Sequence, residues 1–213
     1  MTTRQTVRIS SRKQPQQARS TELVAAILEA ATQVLAKEGA TRFTTARVAE
    51  KAGVSVGSVY QYFPNKAAIL FRLQSDEWQQ TTQMLCDILD KTEVPPLTRL
   101  RSLVHAFIHS ECEEAQMRVA LNDAAPLYRD APEAVEVRAA GQQAFEAFML
   151  ELLPDVPEAT RALACDLVLG TLSSVGKDFS ARPRTATEIE VYADGMADMF
   201  HAYINTLNRA LIV

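Results

Sequence analysis

Hydrophobic residues along this chain recur at intervals of three and four positions, which is the spacing of amphipathic helices. No segment shows the alternation of apolar and polar residues that a half-buried strand requires. Helix start signals divide the chain into three small helices followed by about six longer ones. The pattern therefore predicts an all-α fold.

The three small helices are predicted in the first third of the chain. Ser20 or Thr21 is predicted to cap the first helix, and Gly39 to end it. Gly53 separates the next two helices, at a position where a left-handed turn favours glycine. Thr44 or Thr45 is predicted to cap the first of these two helices, and Ser55 the second. Asn65 is predicted to cap the long helix that follows, which extends to about residue 91.

Five further helices are predicted from start signals of three kinds: paired prolines, an acid shortly before a proline, and a capping box. The first of these helices starts at Pro95–Pro96, and the second covers residues 115–128. Asp130 is the predicted start of the helix over 132–153, Asp155 that of the helix over 157–179, and Thr187–Glu190 that of the helix over 187–211.

Charge is divided unequally along the chain, which has a net charge of −4. Residues 1–75 carry eleven Lys and Arg against four Glu, whereas residues 76–213 carry eleven against 22 acids. This asymmetry indicates a local site for a polyanion, with chance segregation of solvated charges as the alternative. Residues 1–19 are basic and poor in apolar groups, so they are predicted to form a flexible arm.

Residues 44–66 carry the pattern most specific for a function. Their sequence, TTARVAEKAGVSVGSVYQYFPNK, predicts a short helix, a glycine turn and a second short helix. This is the spacing of a helix-turn-helix, whose second helix enters the major groove of DNA.

A helical wheel at roughly 100° per residue predicts which residues of this second helix face the core and which face away from it. Val56, Val59 and Phe63 are predicted to face the core. The residues predicted on the opposite face and its two flanks are Gly57, Ser58, Gln61, Tyr60 and Tyr62. An amide between two phenols suits a groove, because the amide can read base edges while the hydroxyls contact phosphates. The alternative is a small helical subdomain with a solvated face.

The stretch from Thr21 to about Leu70 resembles the DNA-binding domain of TetR-type transcriptional regulators. The residues that carry the resemblance are Ala30-Ala31, Gly39, Thr44-Thr45, Val48-Ala49, Ala52-Gly53-Val54-Ser55, Val59-Tyr60-Gln61-Tyr62-Phe63 and Asn65-Lys66. The resemblance implies a homodimeric, ligand-responsive repressor that binds double-stranded DNA. A two-fold dimer would require a palindromic operator.

The resemblance also assigns operator contacts by position. The residues concerned are Thr45, Val56, Gly57, Ser58, Tyr60, Gln61, Tyr62 and Lys66. Thr44 lies at a helix start, where its hydroxyl can meet a phosphate. Arg47 is expected to compensate for Ala46, which stands where some members of the family carry a basic residue.

The predicted organisation has three parts. Residues 1–19 form the basic arm, residues 20–66 the helix-turn-helix domain, and residues 67–213 a helical domain for effector binding and dimerisation. The helices over 157–179 and 187–211 are predicted to form the dimer interface, since they offer more apolar surface than one helix pair consumes.

A pocket for a small apolar or aromatic effector is predicted within residues 66–153. The residues expected to line it are Trp78, His105, Phe107, His109, Met117, Leu121, Phe145 and Met149. The two histidines are the polar groups expected to orient the molecule. The alternative is that these residues fill an ordinary core.

His105, His109 and Cys112 lie at i, i+4 and i+7, so one helix face could present three metal ligands. Sensing of a metal or of redox state through these residues is therefore a second hypothesis. A non-regulatory helical binding protein, whose basic N-terminus serves another polyanion, is a third. Because the sequence offers no fourth ligand, no metal site is predicted, and no cofactor is predicted either.

The sequence lacks the motifs that indicate several other classes of function. There is no glycine-rich phosphate loop, nucleophile elbow or zinc-protease pair, so an enzyme is not predicted. The longest apolar runs are about six residues, whereas roughly 18 are needed to span a bilayer. Three widely spaced cysteines and the lack of a secretory signal favour a reducing cytoplasm.

Overall fold

The structure, a computed structural model, describes residue 9, residues 18–128 and residues 132–209. These residues form nine α-helices, one 3₁₀ helix and no strand, which confirms the predicted all-α fold. The helices are α1 (Ala18–Arg42), α2 (Thr45–Lys51), α3 (Val56–Tyr62), α4 (Lys66–Leu89), α5 (Pro96–Glu113), α6 (Ala115–Ala124), α7 (Pro132–Leu152), α8 (Glu158–Ser180) and α9 (Ala186–Arg209), with the 3₁₀ helix at Ala125–Leu127.

The chain divides into two compact units, each with its own hydrophobic core. The first unit comprises the described residues of Met1–Trp78 and Gln116–Arg138, and the second unit those of Gln79–Ala115 and Ala139–Val213. Residues at the centre of the first core are Ile27, Leu35, Phe43, Phe63 and Leu70; those of the second core include Leu100, Leu103, Ile108, Met149 and Ile204. Helix α4 is continuous from the first unit into the second.

The core of the second unit is organised around α5, which packs against both α8 and α9. At the contact with α8, a Cβ built on Gly176 would lie 3.0 Å from Cε1 of Phe107 and 3.4 Å from Cγ of Glu111. Glycine at position 176 therefore allows the two helices to approach more closely than any larger residue would.

One predicted boundary of α1 is confirmed by the structure and the other is corrected. Gly39 adopts the non-helical angles φ 71° and ψ 171°, so it interrupts the helix where the sequence predicts, and a short helical stretch continues beyond this kink to Arg42. At the other end α1 begins at Ala18, inside the predicted arm. Ile9 also lies within that arm, yet it is buried in the first core with 2% of its surface exposed. The other arm residues before Ala18 lie outside the described part of the chain.

The starts of two later helices also differ from prediction. The capping box of α9 is Thr185 with Glu188, two residues before the predicted pair: the Thr185 N–H donates to the Glu188 carboxylate at 2.8 Å, and the Glu188 N–H donates to Oγ1 of Thr185 at 3.3 Å. Pro157 is the N-cap of α8 and makes no side-chain cap, so the prediction that Asp155 caps this helix is wrong. The predicted cap Asp130 lies outside the described residues.

The turn between α2 and α3 ends α2 in the way that its glycine predicts. The Val54 N–H donates to the Ala49 carbonyl at 3.0 Å, and the Gly53 N–H donates to the Glu50 carbonyl at 3.1 Å. This pair of bonds is a Schellman motif, which requires a left-handed residue at its centre. Gly53 supplies it with φ 68°.

Replacing Gly53 by alanine should lower the free energy of unfolding by about 1–2 kcal/mol, because a Cβ is strained at positive φ. No heavy atom lies within 4 Å of a Cβ built at this position, so backbone strain is the whole effect. Gly53→Asn is the matched control and should lose about half as much, since asparagine tolerates this conformation. Urea unfolding at fixed protein concentration measures the difference. Equal midpoints for the alanine variant and the parent would contradict this account of the turn.

Candidate nucleic-acid interface

The helix-turn-helix is held by three side-chain caps that the sequence predicts. Oγ1 of Thr44 accepts the Arg47 N–H at 3.3 Å at the start of α2. Oγ of Ser55 accepts the Ser58 N–H at 3.0 Å at the start of α3. Oδ1 of Asn65 accepts the Ala68 N–H at 2.9 Å at the start of α4. Each cap satisfies a backbone donor that has no partner within its helix, so these bonds define where the three helices begin.

The buried side of α3 differs from the predicted side by a partial rotation of the helix. Val59 and the following Phe63 are buried as predicted. However, Tyr62 is also buried, with 8% of its surface exposed, whereas Val56 is 38% exposed. The core-facing arc is therefore centred between Tyr62 and Phe63, which leaves Val56 at its edge. The helical wheel placed Tyr62 and Val56 wrongly because it centred the core-facing side of the helix on the apolar residues Val56, Val59 and Phe63.

The exposed face of α3 consists of small and polar groups. Gly57, Tyr60 and Gln61 are exposed, and Ser58 is half-buried. The Ser58 hydroxyl lies 2.8 Å from the Ser55 hydroxyl, so it takes part in the cap of the helix. This face presents one amide and one phenol beside a glycine that leaves the backbone open to close approach, which is an arrangement suited to a DNA groove.

The flanking residues predicted to contact DNA lie in different environments. Thr44 is exposed at the start of α2, whereas Thr45 is buried with 8% of its surface exposed. Lys66 is half-buried at the first position of α4. All three residues nevertheless lie at the start of a helix, Thr44 as the cap of α2 and Thr45 and Lys66 as the first residues of α2 and α4, where backbone N–H groups favour a phosphate.

Arg47 makes contacts that the sequence did not predict. Its guanidinium pairs with the Glu38 carboxylate and donates to the Arg42 carbonyl at 3.3 Å, so it ties α2 to the end of α1. The kink at Gly39 separates Glu38 from the rest of that end, and helical spacing gives no register across such a kink. The sequence therefore carried no signal for this pair.

Two family models match the chain. The model described as bacterial regulatory proteins, tetR family, matches residues 27–73, and the model described as tetracyclin repressor-like, C-terminal domain, matches residues 95–207. The second match alone covers more than half of the chain. The chain belongs to the TetR family. The first match contains α2, the glycine turn and α3, so the TetR-family model and the geometry identify the same segment.

Individual TetR-family relatives resemble parts of the chain. It is 36% identical over 83 residues to the nucleoid occlusion factor SlmA of Vibrio campbellii, and this match covers 38% of this chain and 42% of the relative. It is also 36% identical over 98 residues to the HTH-type transcriptional regulator TtgR of Pseudomonas putida, which covers 46% of each protein. Each match thus spans less than half the length of the curated relative.

The fold itself is shared over nearly the whole chain. A crystal structure of a TetR-family transcriptional regulator from Mesorhizobium loti superposes with a TM-score of 0.68, covering 88% of this chain and 98% of the other. The two sequences are 18% identical. This likeness therefore concerns the fold alone, an N-terminal helix-turn-helix followed by a C-terminal helical domain.

The residues predicted to bind an effector fall into both units. Trp78, Met117 and Leu121 pack in or against the core of the first unit. The members in the second unit are His105, Phe107, His109, Phe145 and Met149. Leu121, Phe145 and Met149 are each at most 3% exposed. The structure therefore places the apolar members of the set in two separate helical cores.

The two predicted histidines take part in a polar ladder between α5 and α9. The ladder consists of Arg101, His105 and His109 on α5, and Asp198, Asp194 and Glu190 on α9. Nδ1 and Nε2 of His105 lie 3.2 Å from carboxylate oxygens of Glu190 and Asp194, respectively. Nε2 of His109 lies 2.8 Å from Oε1 of Glu190. Both imidazoles are thus engaged by acids of α9.

The environments of the cysteines bear on the redox hypothesis. Burial, reinforced by the neighbouring charge of Glu111, raises the pKa of Cys112. Burial raises the pKa of Cys165 to about 11. A raised pKa keeps the thiol protonated and disfavours the reactive thiolate.

The metal hypothesis concerns a different property of these side chains. Among residue 9 and residues 18–128 and 132–209, no three His, Cys, Asp or Glu side chains are arranged to hold a metal ion.

None of the described helices combines the length and apolar character required to cross a membrane.

Proposed function

We propose that this TetR-family chain is a transcriptional repressor that binds a palindromic operator as a homodimer and is released by a small-molecule effector. The observation that carries the DNA-binding part is the exposed face of α3, with Gly57, Tyr60 and Gln61, on a short helix capped at Ser55. A purely solvated helix would gain nothing from an exposed glycine and tyrosine. The basic first third of the chain supplies attraction for the phosphate backbone.

Different residues of this interface have different tasks in the proposal. Gln61 reads a base edge, since a side-chain amide can form two hydrogen bonds with adenine in the major groove. Tyr60, Thr44 and Lys66 contact phosphates and thereby fix the register of α3 along the duplex. Arg47 positions α2 against α1 through Glu38, and it reaches DNA only if a phosphate competes with that carboxylate.

The homodimer is supported by an apolar surface on α8 and α9. Leu163 and Leu167 on α8 are 69% and 51% exposed, and Val191 and Met199 on α9 are 68% and 50% exposed. Monomeric soluble proteins rarely leave so many large apolar side chains on adjacent helices in water. A second copy of the chain covers this surface in the proposed dimer.

A groove of about 680 Å³ runs along the same two helices. Its lining consists of Thr171, Val175, Phe179, Thr187, Glu188, Val191, Tyr192, Gly195, Met196 and Met199. A Cβ built on Gly195 would meet no heavy atom within 4 Å, and the same holds for Gly170. These open backbones allow helices of a second copy to approach closely, and a two-fold axis would then pair identical surfaces.

The effector part of the proposal is supported by membership of the TetR family and by the continuity of α4 from the first unit into the second. Three residues separate the end of α3 from the start of this helix, which ends in the second unit. An effector bound in the second unit, near Phe107, Phe145 and Met149, changes operator affinity only by binding one state of the protein more tightly than the other.

Gln61→Ala should weaken binding to the preferred operator by about 1–3 kcal/mol and leave binding to random DNA nearly unchanged. Lys66→Ala should weaken binding to both kinds of duplex about equally and make the salt slope shallower by about one, because it removes a phosphate contact. Fluorescence anisotropy titrations over a range of salt concentrations measure both effects. The matched controls are Gln80→Ala and Lys91→Ala, which lie outside the interface. A loss of specific and random binding in the same ratio in both variants would contradict the division of tasks.

Leu167→Glu should dissociate the dimer, because a carboxylate buried in an apolar interface has no partner that compensates its desolvation. Leu150→Glu on α7 is a close control, since the parent leucine is also 51% exposed. Sedimentation velocity at micromolar concentration should give a monomer for the first variant and a dimer for the second and for the parent. A monomeric parent, or a dimeric Leu167→Glu variant, would rule out this interface.

A further inference from the structure

Arg99 is a charged side chain in the core of the second unit, with 2% of its surface exposed. Arginine is almost never buried to this extent unless its guanidinium is fully paired, because the loss of hydration is otherwise uncompensated. The groups that pair with Arg99 therefore indicate what this residue holds in place.

The guanidinium of Arg99 connects the end of α4 with α7. Its Nε donates to the Val94 carbonyl at 3.0 Å, in the connection between α4 and α5. One Nη donates to the Leu89 carbonyl and the other to the carboxylate of Glu151 on α7. Its central carbon also lies 5.2 Å from the centre of the Phe148 ring, in a cation–π contact.

The contact with Leu89 matters most, since Leu89 is the last residue of α4. Carbonyls in the last turn of a helix have no N–H partner within that helix, and they carry the negative end of the helix dipole. Arg99 supplies both a donor and a positive charge at this end. A planar guanidinium can bond two carbonyls and a carboxylate simultaneously, whereas the compact ammonium of lysine cannot match that geometry.

We propose that Arg99 is a positioning residue for DNA binding: by fixing the C-terminal end of α4, it fixes the direction of the helix whose other end follows α3. The inference rests on the proposed function, because it concerns how the two reading helices of a dimer are spaced. Because α4 is a single helix of 24 residues, a change in direction at Leu89 is carried along its length to Lys66.

A purely structural role and a positioning role differ in one measurable respect. Loss of stability lowers the active fraction of the protein, which weakens binding to every operator by the same factor. A loosened α4 instead changes which distance between half-sites is preferred. The ratio of affinities for operators of different spacing therefore separates the two roles, whereas a single affinity does not.

The experiment uses the full chain with Arg99→Lys, and Arg101→Lys as the matched control. Arg101 lies on the same helix, but it is only half-buried and pairs with Asp194 and Asp198 of α9. Each protein is titrated with the preferred operator, with versions one base pair longer or shorter between the half-sites, and with random DNA. Urea unfolding and sedimentation record stability and dimerisation for the same samples.

The expected result is that Arg99→Lys discriminates between the preferred and altered spacings about tenfold less than the parent, the effect of misplacing one base contact. Random-DNA affinity and sedimentation should stay unchanged, and Arg101→Lys should keep the parental ratio. A parental ratio in Arg99→Lys, even with weaker binding overall, would overturn the inference alone. A parent that binds all duplexes equally would overturn the proposed function itself, and this inference with it. If Arg99→Lys does not fold, Glu151→Gln decides by the same ratio, with a smaller shift expected because a neutral acceptor remains.

Discussion

The continuity of α4 through two hydrophobic cores is the constraint on which the other features of the molecule depend. Ile69 and Leu70 near its start are buried in the first core, and Leu89 at its end is buried in the second. A helix satisfies its interior backbone by itself, but its two ends need partners from elsewhere. Asn65 supplies the partner at the start and Arg99 supplies it at the end, so both ends of this roughly 36 Å rod are fixed by side chains.

The parts of the site that depend on local hydrogen bonding could be predicted from the sequence. The caps Thr44, Ser55 and Asn65 and the left-handed Gly53 each act within a few residues of their own position, so their chemistry is visible in the residue order. The resemblance to the TetR family, which the family models confirm, added a functional hypothesis for this segment. The rotation of α3 was less accessible, because the burial of Tyr62 depends on the surface against which the helix packs.

Features created by distant residues gave no comparable signal. Arg99 and Glu151 are 52 positions apart, and His105 and Asp194 are 89 positions apart. A single arginine in an amphipathic helix resembles a surface residue until its partners are known. Likewise, the aromatic and histidine residues grouped into one effector site belong to two cores and a polar ladder, because a helical pattern reports that a residue is apolar but not which core receives it. The effector site thus stays a prediction, whereas the exposed face of α3 has a defined geometry.

Selection of bound sites from randomised double-stranded DNA tests the central claim most directly. It works with an operator of unknown sequence and measures the specificity of α3 and the symmetry of the dimer together. The account predicts one enriched palindrome, with half-site centres about one helical turn apart or a modest departure from it, roughly 34–36 Å. Absence of any enriched sequence, or enrichment of a single asymmetric site, would contradict it.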